Sequence, residues 1–209
     1  MSGKFITIEG TEGVGKSTNL AFIKDRMLAK GLDVVVTREP GGTPVAEELR
    51  EILLANREER FDATAELLIV FAARAQHFNN VILPAIEQGS WVLCDRFTDA
   101  TFAYQGYGRG LSLESIATLE NLVQGNIQPD LTFFLDIDVE LGLRRANARG
   151  KLDRFEQEKS YFFNNVRQGY QQRIKQFPQR FCTIDAGQTL VNVQKDIALA
   201  LDKFIDSHQ

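Results

Sequence analysis

The run Gly10-Thr11-Glu12-Gly13-Val14-Gly15-Lys16-Ser17 constrains this chain more than any other feature. It satisfies G-x-x-x-x-G-K-[ST], in which glycines let the backbone curl until successive N–H groups converge on phosphate oxygens. The pattern works between a strand that delivers it and a helix whose N-terminal partial charge completes the cradle. Both flanks fit: Phe5-Ile6-Thr7-Ile8 is a short apolar run, and Leu20, Ile23 and Met27 recur at helical spacing. Lys16 supplies a mobile charge for the outer phosphates, and the Ser17 hydroxyl is placed for Mg²⁺. A dinucleotide fingerprint is disfavoured, because Thr18 stands where the third glycine of G-x-G-x-x-G belongs. Gly10 through Thr18 are therefore the candidates for binding a nucleotide donor.

A chain that opens this way is committed to strands alternating with helices. Further runs of β-branched and aromatic residues occur at Val34-Val35-Val36, Trp91-Val92-Leu93-Cys94, Leu131-Thr132-Phe133-Phe134-Leu135 and Phe181-Cys182-Thr183-Ile184, and each reads as a strand buried on both faces. Leu67, Phe71, Phe78 and Ile82 mark a helix between them. The alternation predicts an α/β architecture: a five-stranded parallel sheet with helices on both faces, in a single domain over 1–209. Sites in such sheets lie at the carboxyl ends of the strands. That edge is chemically loaded, since Glu9-Gly10, Thr37-Arg38-Glu39-Pro40, Asp95-Arg96 and Asp136 follow four of the strands. Gly106 to Gly110 and Gly150 to Asp153 read as loops over it.

A net charge of -4, from 24 Lys and Arg against 28 Asp and Glu, gives no global field for holding a nucleic-acid polymer. The N-terminal residues lack a signal-type apolar stretch and no run suits a membrane span, so a cytoplasmic location is expected. Cys94 and Cys182 lie in apolar runs without metal-type spacing and read as buried thiols. A guanine-nucleotide switch would carry N-K-x-D, but Asn192-Val193-Gln194-Lys195-Asp196 does not match. A motor would need a Walker B run ending in Asp-Glu, where Asp95-Arg96 stands instead.

The phosphate loop together with Thr37-Arg38-Glu39-Pro40-Gly41-Gly42-Thr43, Phe71-Ala72-Ala73-Arg74, Asp95-Arg96-Phe97 and Ala103-Tyr104-Gln105-Gly106 closely resembles the bacterial thymidylate kinases, in the same order and over nearly the whole chain. The resemblance implies the P-loop nucleoside monophosphate kinase fold and transfer of the terminal phosphoryl group of ATP, with Mg²⁺, onto dTMP, feeding dTTP synthesis. A kinase of another nucleotide or deoxynucleoside is the alternative. Arg38 can offer a guanidinium fork to a phosphate beside the stiffening Pro40. By resemblance Arg96 grips the dTMP phosphate, Asp95 assists Mg²⁺ or orients its neighbours, and Glu12 faces the sugar hydroxyl. Spacing alone puts Phe71 on the core stripe with Leu67 and Phe78. The resemblance instead implies that Phe71 stacks on thymine while Arg74 reaches its O4, Thr101 faces N3, and Tyr104 and Gln105 lie along the sugar. Ala100 departs from a serine common in relatives.

Phosphoryl transfer needs positive charge on the oxygens in flight. One branch of the family supplies it from a P-loop arginine, but that position here is Gly13. The stretch Arg144-Arg145-Ala146-Asn147-Ala148-Arg149-Gly150 resembles the mobile lid of the other branch, with the lid spanning roughly 142–155. Arg145 and Arg149 are then the catalytic candidates, Arg144 packs on the adenine, and homodimerisation is implied. No general base is assigned, because a phosphate acceptor is already ionised.

Overall fold

The computed structural model describes residues 3–148 and 153–208. Five strands form one parallel sheet: β1 (Phe5–Glu9), β2 (Val34–Arg38), β3 (Trp91–Asp95), β4 (Leu131–Asp136) and β5 (Phe181–Asp185), in the order β2-β3-β1-β4-β5. The predicted strands are all present. Their burial is not uniform, because order and not composition decides it. β1, β3 and β4 are central and nearly wholly buried, whereas β2 and β5 are the edges, with Val36 and Thr183 exposed.

The chain leaves β1, runs to the far edge at β2, returns through β3 and then crosses β1 to reach β4. The strand order therefore reverses around β1, and the carboxyl ends there open a crevice. Arg38 aligns with Asp95, Asp95 with Ile8, and Glu9 with Phe134, so the polar ends predicted from sequence share one edge. Asp136 ends β4 on the same edge but is taken up by Arg167 at 2.6 and 2.9 Å and does not line the cleft.

On one face α1 (Lys16–Ala29) and α9 (Leu190–Asp206) bury Ile23 and Met27 against Val193, Ile197 and Leu201. α2 (Pro44–Leu54) begins at Thr43, whose hydroxyl accepts from Ala46 N, with Pro44 in the first turn where its missing N–H costs nothing. α3 (Ala63–His77) begins at Asp62, which accepts from Thr64 N and Ala65 N, and continues through a π-helical turn, Phe78–Ile82, into α4 (Leu83–Glu87). α5 (Thr98–Thr101) likewise runs into a π-helical stretch, Phe102–Gly108. The glycines predicted there to form a loop instead sit partly in a widened helix. α6 (Leu113–Gln124), α7 (Val139–Asn147) and α8 (Ser160–Gln176) complete the set. Among the described residues no helix is long and apolar enough to cross a membrane.

Candidate active site

The strand β1 ends on Glu9, and the phosphate loop turns immediately into α1. Gly15 caps that helix without a side chain, so its first N–H groups stay open to an anion. Gly13 has φ +72°, and a Cβ there would fall 2.0 Å from the carbonyl oxygen of Gly142. In return a Cβ on Gly142 would fall 2.7 Å from Glu12 O. The loop and α7 thus meet backbone to backbone, and neither position has room for a side chain. Lys16 is pushed below the usual lysine range by burial and by Arg96, against Glu12, Asp95 and Glu9.

Beneath the loop Glu9 is fully buried. It accepts from Phe97 N at 2.7 Å and from the Tyr170 hydroxyl at 2.7 Å. Burial, then the charge of Asp99, raises its carboxyl from about 4.5 to about 8, against the pull of Arg96, Tyr170 and the Phe97 amide. The Phe97 contact braces a tight turn in which Arg96 has φ +68°, uncommon for a non-glycine residue. Cys94 contributes to the same turn, its thiol donating to Arg96 O at 3.0 Å. The turn aims the Arg96 guanidinium upward, where it donates to Glu12 Oε1 at 2.8 Å and to the Tyr170 hydroxyl at 3.2 Å, over the Tyr104 ring at 4.7 Å. Tyr104 donates to the same Glu12 oxygen at 3.0 Å.

Above this edge lies a cleft of about 300 Å³, at the lower end for a small-molecule site. One end is cationic. Lys16, Arg38, Arg50 and Arg96 line it, against Glu12 and Asp95. Arg38 is held by Glu47 at 2.8 Å. Arg50 donates to Pro40 O at 2.8 Å, and burial together with Arg38 and Arg96 pushes it below the usual arginine range. Such a cluster is relieved by an anion. Asp95 Oδ1 is buried with no hydrogen-bond partner among the described residues, and Ser17 lies in the adjoining wall. No group of three or more His, Cys, Asp or Glu gathers for a metal among the described residues. One carboxylate beside a hydroxyl and a phosphate cradle fits Mg²⁺, which keeps several waters and is held largely through substrate phosphates.

The other end is built to read a flat ligand. Arg74 is buried, donating through Nε to Glu39 Oε2 at 2.6 Å and through Nη2 to Thr101 Oγ1 at 2.9 Å. Its Nη1 has no partner among the described residues, which leaves it to a ligand. Pro40, Thr101, Tyr104 and Gln105 also lie in the wall, with Gln105 held by Glu66 at 2.8 Å. Phe71 does not. It is packed with Leu67, Phe102 and Ile116 beneath α6, and Arg74 covers its ring at 4.8 Å. The apolar wall at this end comes from Leu53, Leu54 and Val70. Val70 and Arg74 are four residues apart and share a face, whereas Phe71, one residue further round than Val70, is near enough to Arg74 to lie under its guanidinium but has its ring among Leu67, Phe102 and Ile116.

The lid candidates are placed differently. Residues 142–147 belong to α7. Arg144 and Arg145 are exposed and absent from the cleft wall, and Arg145 donates to Ala186 O at 2.8 Å, on the side of β5 and α9. Arg149 lies outside the described residues. Beyond the gap Asp153, Phe155 and Glu156 line the cleft, and Phe155 packs edge-on against Tyr104. Arg154 anchors this return segment to Leu53 O at 2.8 Å and to the buried Glu66 at 2.7 Å.

Sequence reasoning missed Arg50, Val70 and the carboxyl role of Glu9. The signal for the first was present: Ala46, Arg50 and Leu53 fall on one helical stripe, so an arginine sits among inward-facing residues.

A family model described as "Thymidylate kinase" matches residues 8–197. A thymidylate kinase of Teredinibacter turnerae is 65% identical over 205 residues, covering 98% of this chain and 100% of that protein. One from Pseudomonas putida is 60% identical over 206 residues, covering 99% and 98%. The crystal structure of thymidylate kinase from Ehrlichia chaffeensis superposes with a TM-score of 0.76 at 33% identity, covering 96% of this chain and 99% of that one.

Proposed function

The chain belongs to the thymidylate kinase family, and from that membership together with the cleft we propose how it moves the terminal phosphoryl group of ATP onto dTMP. ATP lies with its phosphates in the loop Gly10–Thr18, under Lys16. Ser17 and Asp95 would hold Mg²⁺, which would neutralise charge on the donor phosphates. Arg38, Arg50 and Arg96 hold the dTMP phosphate. The thymine base reaches the free Nη1 of Arg74 and lies against Val70, Leu53 and Leu54, with Thr101 at its edge. Tyr104, Gln105 and Glu12 flank the deoxyribose.

An oxygen of the dTMP phosphate attacks the terminal phosphorus, and the bond from that phosphorus to the bridging oxygen of the leaving ADP breaks. The products are ADP and dTDP. The acceptor needs no base, so positioning and charge do the chemistry. Because Gly13 and Gly142 leave no room for a side chain on the loop, the charge on the transferred group comes from the lid, with Arg149 the first candidate.

The observation that carries this reading is the pairing of a cationic end with a buried, unpartnered arginine donor in the wall of the same cleft. That combination suits a nucleoside monophosphate with a carbonyl on its base. Coupled ADP release across a panel of monophosphates tests it. dTMP is expected to exceed dCMP and dGMP by at least about 100-fold in kcat/KM, since the wrong base edge leaves buried groups unpaired. Comparable rates across the panel would remove the reading.

The family resemblance also implies a homodimer. The helices α2, α3 and α6 carry the exposed apolar residues Ile52, Leu68 and Leu122, the last 76% exposed, and these support that assignment. Sedimentation of the parent and of Leu122→Asp tests it, and two identical monomeric profiles would refute it.

A further inference from the structure

Arg74 does not set its own orientation. Its Nε bond goes to Glu39 Oε2, and the other carboxylate oxygen, Oε1, meets His77 Nδ1 at 3.0 Å. His77 Nε2 in turn meets Thr37 Oγ1 at 2.6 Å. His77 is completely buried and Glu39 nearly so. One tautomer satisfies every bond: Nδ1–H donates to the carboxylate, and Nε2 accepts from the threonine hydroxyl. The ring also bears on the turn that follows Arg38 and carries Pro40, because a Cβ at Gly42 would fall 2.3 Å from His77 Cδ2.

We propose that His77, acting through Glu39, is a positioning residue that fixes the Arg74 guanidinium so that Nη1 faces the base carbonyl. A carboxylate with one oxygen on an arginine can pivot about that bond, and a second bond to a buried ring stops the pivot. This is the logic by which an outer partner orients a ligand-binding group. His77 sits seven residues after Val70 and three after Arg74, on the stripe that forms the base end of the cleft. One ring thereby ties the base-reading arginine to the end of β2, where Thr37 precedes phosphate-binding Arg38. The inference rests on the proposed reading of Arg74 as the base-carbonyl donor.

The test compares dTMP with an analogue in which the base carbonyl at position 4 is replaced by hydrogen. His77→Ala is expected to raise KM for dTMP about tenfold with kcat within about threefold, and to move KM for the analogue less than about twofold. His77→Asn, whose amide N–H can stand in for Nδ1–H, should recover most of the loss and covers the case in which the alanine variant folds poorly. Thr37→Val should give a smaller rise with the same selectivity. If the His77 variants raise KM for both substrates alike, or for neither, His77 is only structural and the inference fails. Arg74→Ala separates the two levels. A selective effect there with none at His77 overturns the positioning role alone, whereas an unselective effect at Arg74 overturns the base reading and this inference with it.

Discussion

Glu9 and Lys16 lie at the two ends of the phosphate loop, and burial moves both toward their neutral forms. For Glu9 the sign has a direct consequence. Its folded pKa of about 8 lies above the ordinary value near 4.5, so between those limits the folded state binds more protons than the unfolded one. The contribution of Glu9 to stability therefore falls as pH rises through that window, by a total on the order of 5 kcal/mol, and is flat above it. Glu9→Gln removes the titration. Urea unfolding at pH 6 and pH 8.5 should show the variant gaining on the parent at the higher pH, and an equal difference at both would contradict the assignment. A second residue-scale contrast separates Val70 from Phe71. Phe71→Leu is expected to cost about 1–2 kcal/mol of stability while KM for dTMP stays within about threefold, because its ring fills core space under α6. Val70→Ala should do the reverse, raising KM about fivefold at small stability cost. Thermal melts and KM values for the pair decide between them.

Contacts between whole elements place the catalytic parts. The phosphate loop and α7 touch through Gly13 and Gly142, so the helix that carries Arg144 and Arg145 rests on the loop proposed to hold ATP. Gly142 lies inside a helix and has ordinary backbone angles, so alanine there is not strained by conformation and would even raise helix propensity. Its Cβ would nevertheless meet Glu12 O at 2.7 Å. Gly142→Ala is expected to raise KM for ATP and lower kcat by about tenfold together, because the loop or the helix must shift. Unchanged kinetics would show that the contact yields freely. The widened turn at Phe102–Gly108 acts at the same scale. It sets Tyr104 and Gln105 in the cleft and leaves Arg109 beside it on Glu66 at 3.2 Å, as expected of π-helical turns at functional sites.

Over the whole molecule, the proposed donor and acceptor ends share one strand edge, and the proposed mechanism asks for a cation between them. Arg149 is expected to lower kcat by roughly 100-fold when changed to alanine, with little movement in KM, the pattern of a contact made mainly in the transition state. Single-turnover transfer avoids masking by product release, and a rate within a few-fold of the parent would send the role to another cation. The chain itself carries the phosphate loop, the five strand runs and the polar residues ending them, because backbone curl and burial of apolar runs are local properties that spacing records. Arg38, Arg74, Arg96, Tyr104 and Gln105 are site candidates through the family resemblance their motifs carry, not through spacing, and the fold sets them along one cleft. Spacing puts Phe71 on the core stripe, where the packing has it, but does not mark Val70 as the cleft-facing residue of α3. A rotation of one residue separates Val70 from Phe71, and only the packing of α3 against α6 fixes it. Nor could it show that β2 and β5 are edges, that Arg145 turns toward Ala186, or that Glu39 and His77 meet behind Arg74. Those facts depend on distances between elements far apart in sequence, which are set when the core closes and appear in no local pattern.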